Sequence, residues 1–217
     1  MFIDNYLTIQ DSSEGEYKEK GSKFLAYAYP IHSEKDLDAC MDLTKDIHPK
    51  ARHYCYAYKL GMDGNRFRIN DDGEPSGTAG KPIYGQILSH QLTDICIIVV
   101  RYFGGTKLGA TGLIHAYKEA AREALSTAQI VEKYLFDHFK FNFGYDQMGH
   151  IMNVLKEENV EITEKTFDLN CEVKIALKMS QSKATLLRIK AKLLDKSLEE
   201  VHEETIVDFC KITKTTN

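Results

Sequence analysis

Apolar and polar positions along the chain change period several times, and each change predicts an element. Tyr6–Gln10 and Lys23–Ile31 read as strands. Ser33 with Asp36 has the form of a capping box. Leu37, Cys40, Met41, Thr44, Ile47 and His48 follow at helical spacing, and His48-Pro49 predicts the end of that helix. From Arg52 to Leu60 the pattern alternates. Tyr54, Tyr56 and Tyr58 fall on one face, and His53, Cys55 and Ala57 on the other. Gly61–Asn65 then reads as a turn into a returning strand at Arg66–Ile69. Pro82 suits the first turn of a helix carrying Ile83, Ile87 and Leu88. The unbroken β-branched run Ile95–Val100 predicts a strand buried on both faces. A glycine loop, Gly104–Gly109, leads to a helix capped by Thr111, with Leu113, Tyr117, Ala120, Ala121, Ala124 and Leu125 inward.

Glycine divides the chain. Ten of the 14 glycines lie between Gly61 and Gly112, and no proline follows Pro82. Beyond about residue 130 a fresh order begins: strand Leu135–Phe143, helix Gln147–Glu157, strands Val160–Thr166 and Cys171–Met179, helix Lys183–Leu194 and strand Glu204–Ile212. That order is the ferredoxin-like β-α-β-β-α-β plan. The fold class expected is therefore α+β in two domains, 1–130 and 136–217.

Composition narrows the function classes. Of the 217 residues, 43% are hydrophobic and 28% charged, as in ordinary globular proteins. The net charge of −4 supplies no global field for nucleic acid, so such binding needs a local patch. The five cysteines, Cys40, Cys55, Cys96, Cys171 and Cys210, have no close paired spacing and fit free thiols in a reducing compartment. Met1–Asn5 shows no basic region followed by an apolar run, and the longest apolar run is far short of the ~20 residues that span a bilayer. A cytoplasmic protein with no membrane partner is expected.

Candidate chemistry concentrates between Arg66 and Gly112. The strand Ile95–Val100 runs through Arg101 into Gly104, Gly105, Thr106, Lys107 and Gly109, and then into a helix. Loop amides, a helix N-terminus and two flanking cations suit phosphate. The same glycines equally permit a sharp turn and close helix–sheet packing. The spacing approaches a P-loop, but Ala110 stands where the phosphate-reaching lysine is needed. In Asn70–Pro82 three carboxylates, Asp71, Asp72 and Glu74, can hold Mg²⁺ or simply form a solvated turn, and their spacing is not that of an EF-hand. The tyrosine stripe beside Arg52, Arg66 and Arg68 can stack bases but is the commoner mark of a core cluster. His48, His53 and Cys55 make no closed zinc set, and Ser76 sits in no nucleophile elbow. Neither a catalytic residue nor a cofactor is assigned.

The segments Asn70-Asp71-Asp72-Gly73-Glu74-Pro75-Ser76-Gly77-Thr78-Ala79-Gly80-Lys81-Pro82-Ile83 and Arg101-Tyr102-Phe103-Gly104-Gly105-Thr106-Lys107-Leu108-Gly109 resemble the YigZ/IMPACT family over essentially the whole chain. The resemblance implies an IMPACT-type N-terminal domain, similar to the β-α fold of domain 2 of a small-subunit ribosomal protein. It also implies a small ferredoxin-like second domain similar to domains of elongation factor G. Eukaryotic members carry an extra N-terminal domain that contacts a scaffold of the starvation-response kinase. The resembling core here begins almost at Met1, so that domain and its role are not expected. Some members have been labelled peptidases, but no metal ligands or nucleophile for that label are evident in this sequence.

The leading expectation is a non-enzymatic binding or regulatory protein near translation. Arg101, Lys107 and the loop amides would take phosphate of RNA or a ribosomal partner, and Arg66, Arg68 and Lys81 would extend the basic track. The rival is a hydrolase of a phosphorylated small molecule, with Mg²⁺ on Asp71, Asp72 and Glu74 and Arg101 as the phosphate clamp. A protein-interaction module using the ferredoxin-like sheet is the third reading. Acids converging on a cleft near Gly104–Gly109 would favour the hydrolase, and a basic groove without them the binder.

Overall fold

The computed structural model describes residues 4–168 and 170–215. The fold class is α+β. Packing divides the chain into Tyr6–Lys133 and a second unit made of Tyr134–Asn217 with Met1–Asn5.

The larger unit is built on a five-stranded antiparallel sheet. Its strands are β2 (Ser13–Glu19), β3 (Ser22–Pro30), β4 (His53–Leu60), β5 (Arg66–Asn70) and β6 (Ile95–Tyr102), in the order β2-β3-β6-β4-β5. Central β6 is the continuous β-branched run, and Ile95 to Val100 are fully buried. Helices α2 (Gly80–Ser89) and α3 (Gly109–Ser126) cover one face, where Cys55, Ala57, Ile97 and Val99 meet Ile83, Ile87, Ala120 and Tyr117. Helix α1 (Glu34–Ile47) brings Leu37 to the other face. The tyrosine stripe belongs there: Tyr56 and Tyr58 pack with Tyr27, Tyr29 and Leu37, which leaves them no open ring for a base. A separate two-stranded ribbon pairs β1 (Asn5–Ile9) with β7 (Ile130–Tyr134).

The capping box of α1 is present. Asp36 Oδ2 accepts the backbone N–H groups of His32 at 2.7 Å and Ser33 at 2.9 Å. One expectation in this unit is corrected, and one strand was not foreseen. Helix α3 starts at Gly109, so Thr111 lies inside its first turn instead of capping it. Strand β2, Ser-Glu-Gly-Glu-Tyr-Lys-Glu, has no apolar stripe to betray it, because it is an edge strand with Glu14 and Glu16 in solvent.

The second unit contains β8 (Phe136–Gly144), α4 (Met148–Glu157), β9 (Glu161–Thr166), β10 (Asn170–Lys178), α5 (Met179–Leu193) and β11 (Cys210–Thr215). Sheet order is β11-β8-β10-β9, the ferredoxin-like arrangement. Phe139, Phe141 and Phe143 point to the helical side and pack with Ile151, Leu155 and Ile189. The alternate positions of the sheet are polar and partly engaged in ion pairs, with Lys140–Glu172 at 3.0 Å and Lys174–Glu164 at 2.7 Å. The last strand begins six residues later than its expected start at Glu204, since Val207 instead bridges back to Cys210. Among the described residues no helix is long and apolar enough to cross a membrane.

Candidate functional site

The C-terminal end of β6, the start of β4 and the two motif loops meet in the larger unit. Register places Arg101 opposite both His53 and Phe24. Strand alternation therefore turns Arg101 toward the α2/α3 face. Its Nη1 donates to Glu74 Oε1 at 2.6 Å, and the two side chains are only 8% and 4% exposed. The same Glu74 oxygen accepts the Tyr117 hydroxyl at 2.9 Å. The Cys55 thiol lies 3.3 Å from Tyr117 Oη and 3.0 Å from the Asp71 carbonyl oxygen. Burial pushes the Cys55 thiol up to about 12, which makes it a packing group and not a nucleophile at neutral pH. The Tyr117 hydroxyl is raised by burial and then by Cys55 and Glu74.

The acidic loop is organised from within. Asp71 Oδ1 accepts the N–H groups of Ala79 and Gly80 at 3.0 and 2.9 Å, and its Oδ2 accepts that of Gly77 at 2.8 Å. Burial works to raise this carboxyl, but the three donors outweigh it and hold it below the usual range. Asp72, at a left-handed φ of 39°, turns away and accepts the Tyr54 N–H at 2.6 Å. Its carbonyl accepts a hydrogen bond from His53 Nδ1 at 2.8 Å. The three acids thus serve three different sets of donors, and the described residues assemble no group of three His, Cys, Asp or Glu able to hold a metal ion.

The glycine loop rests on the β2–β3 turn. A Cβ on Gly104 would lie 1.8 Å from the Gly21 carbonyl carbon and 2.1 Å from Ser22 N, so only glycine fits. The Gly104 N–H is spent on Ser22 Oγ at 3.1 Å. Gly105 adopts φ +88°, Thr106 and Lys107 are exposed, and no side chain caps α3 after Gly109. Packing therefore accounts for Gly104, while Gly105, Thr106, Lys107 and Gly109 are exposed.

Not all of the expected basic track comes together. Arg68 stands opposite Tyr58 and Arg66 opposite Leu60. These β4 positions are five and seven residues beyond His53, the partner of Arg101, or about 17 and 23 Å along the strand. They also share the tyrosine face, opposite to that of Arg101. Lys81 is exposed in the first turn of α2, whose N-terminal Gly80 N–H is held by Asp71.

What gathers beside Arg101 instead is a pocket of about 450 Å³ lined by Lys50, Ala51, Arg52, His53, Arg101, Tyr102 and Phe103. No carboxylate lines it. Lys50 and Arg52 are exposed, and Phe103 is 61% exposed with its ring centre 5.6 Å from the Arg101 guanidinium carbon. Lys50 and Phe103 were missed in the sequence, and Arg52 and His53 were assigned to other roles. The legible signal was Lys50-Ala51-Arg52 between a helix-ending proline and a strand. Behind the pocket, His48 lies between two phenols, with Nε2 2.6 Å from Tyr27 Oη and Nδ1 3.1 Å from Tyr102 Oη.

The architecture and this cleft define a class: an α+β protein with a cationic cleft at one end of an antiparallel sheet, braced from inside by a buried acid–arginine pair. The family profile described as the Impact N-terminal domain matches residues 20–125. The IMPACT family member YvyE of Bacillus subtilis is 33% identical over 84% of this chain and 84% of its own length. The IMPACT family member YigZ of Escherichia coli is 30% identical over 81% of this chain and 85% of its own. A solved structure described as a hypothetical protein is 27% identical, covers 93% of this chain and 97% of its own, and superposes with a TM-score of 0.65. The chain belongs to the IMPACT family.

Proposed function

We propose that this chain is a non-enzymatic binding or regulatory protein that holds a polyanion, RNA or an RNA-rich ribosomal partner, on the surface formed by Lys107 and the loop amides of Gly105–Gly109. The translation setting comes from the family resemblance. The observation that carries the binding reading is the fate of the acids. Asp71, Asp72 and Glu74 are each committed to donors of the fold, so they do not converge on the cleft, while Lys107, Lys50 and Arg52 stay exposed. Polyanion affinity needs a local positive surface of this kind in a chain of net charge −4. Arg101 enters as a brace for the loop and not as the phosphate clamp, because Glu74 already neutralises it. The same hydrogen bonds disfavour the hydrolase reading, which needs Asp71, Asp72 and Glu74 to converge on one metal ion.

The test is ultraviolet crosslinking and recovery of the tagged full chain from cells, beside the Lys107→Ala variant. Recovery of RNA or ribosomes that falls in the variant supports the reading. Equal recovery with both proteins, or none with either, contradicts it.

A further inference from the structure

The pocket between the start of β4 and the end of β6 is adjacent to the glycine loop but distinct from it. Its walls combine two chemistries. Lys50, Arg52 and Arg101 supply cationic nitrogen, and Tyr102 and Phe103 supply flat aromatic surface. Arg101 contributes little net charge beside Glu74, so Lys50 and Arg52 carry the excess. His53 adds an oriented group. Its Nδ1 must donate, since the Asp72 carbonyl can only accept, and this leaves Nε2 of the neutral ring as an acceptor. Tyr102 is held by His48, and Phe103 leans on the Arg101 guanidinium with most of its surface open. An aromatic ring left in water beside paired cations is the arrangement that binds bases by stacking and phosphates by charge. The volume, about 450 Å³, falls in the range of roughly 300–1,000 Å³ that encloses small ligands.

We propose that this pocket binds one nucleoside monophosphate unit, with the phosphate on Lys50 and Arg52 and the base against Phe103. The unit is chemically the same whether it is a free mononucleotide or one residue of a single-stranded RNA. The proposal rests on the polyanion-binding reading and deepens it, because it gives that reading a place where a base, and not only a phosphate, is held. A phosphorylated or acidic peptide would satisfy the cations but leave Phe103 unused, so it is the weaker occupant.

The experiment titrates adenosine 5′-monophosphate, inorganic phosphate, a phosphoserine peptide and a fluorescent 12-residue single-stranded RNA into the full chain. Amide resonances are followed, and the titrations are repeated on Lys50→Ala, Arg52→Ala, Phe103→Ala and Lys107→Ala. All four side chains are exposed, and melting temperature checks that each variant folds. The mononucleotide or the RNA is expected to shift resonances of residues 50–53 and 101–103. Lys50→Ala and Arg52→Ala should each weaken that ligand roughly tenfold, the loss of one charge-assisted hydrogen bond. Phe103→Ala should weaken mononucleotide and RNA but leave inorganic phosphate unchanged. RNA binding without mononucleotide binding, still sensitive to Lys50 and Phe103, identifies the strand as the source and supports the proposal. Phosphate or phosphopeptide binding as tight as the mononucleotide, with Phe103→Ala silent, overturns it. So does wild-type RNA affinity in the three pocket variants beside a loss in Lys107→Ala, and in that case the glycine-loop reading survives alone. No affinity for any probe sinks both.

Discussion

Two charged regions lie within a few residues of each other and spend their charge in opposite ways. In the acidic loop and at Arg101, the three carboxylates and Arg101 Nη1 are engaged by named donors or acceptors of the fold, Glu74 and Arg101 are buried, and Arg101 Nε is left without a partner. In the segment Lys50–His53 and at Lys107, the cations face outward. The inner set holds two long loops against the sheet, and the outer set is what a ligand can reach. Dense motif residues therefore mark architecture here as much as function. The arginine that looked most like a phosphate clamp is the one least free to act as one.

That contrast can be broken at its strongest point. Arg101→Ala leaves the Glu74 carboxylate buried with only Tyr117, and urea unfolding should show a loss of about 3–5 kcal/mol. The paired change Arg101→Met with Glu74→Gln should recover most of that loss, because no unmatched charge remains. A loss below about 0.5 kcal/mol in Arg101→Ala, the size of an ordinary surface change, would place it with the outer cations. Asp71→Ala removes the acceptor of three N–H groups, and the expected cost is about 2–3 kcal/mol by the same unfolding measurement. Because the Asp71 carboxyl is held below its usual range, its contribution is present at neutral pH. It fades as pH falls through its folded-state value.

A smaller effect sharpens the role of His48. Burial, and then the charge of Lys23, keep its imidazole below the ordinary value of 6.5. The unfolded chain thus takes up the proton first. Stability is full above pH about 6.5 and declines as pH falls through the lower folded-state value. Melting temperature should drop between pH 7.5 and pH 5, and the His48→Gln variant should show a shallower slope over that range. Parallel slopes would remove His48 from the account. Lys107→Ala lies at the small end for stability, within about 0.5 kcal/mol of the parent, while its RNA affinity falls.

Much of the frame was legible because hydrophobic periodicity reports burial directly. The run Ile95–Val100 announced a central strand, and Ser33 with Asp36 announced a helix start. The second half showed its strand and helix order, although β11 starts later than expected. Edge strand β2 was illegible because Glu14, Glu16 and Lys18 alternate with small residues and one tyrosine, and β7 is similarly half polar. The site was legible only as a region. Sequence spacing located both motif loops, but whether Arg101 faces solvent or Glu74 depends on strand register and on the turn at Asp72. Arg66 and Arg68 joined the expected track because they are close in sequence to the acidic loop. Register sends them to the far end of β4 and to the opposite face. The Lys50–Phe103 pocket needed residues as far as 53 positions apart to be neighbours, and no local pattern encodes that.

The central claim is that the outward cations, Lys50 and Arg52 among them, hold phosphate while the inner network only braces them. The salt dependence of single-stranded RNA binding tests it most directly, with log affinity plotted against log salt concentration for the parent and for the Lys50→Ala/Arg52→Ala double variant. Each phosphate contact on a single strand contributes about 0.7 to the slope. Lys50 and Arg52 share one phosphate, so the account predicts that the double variant is less steep by about 0.7, with an unchanged melting temperature. Two parallel lines would contradict it.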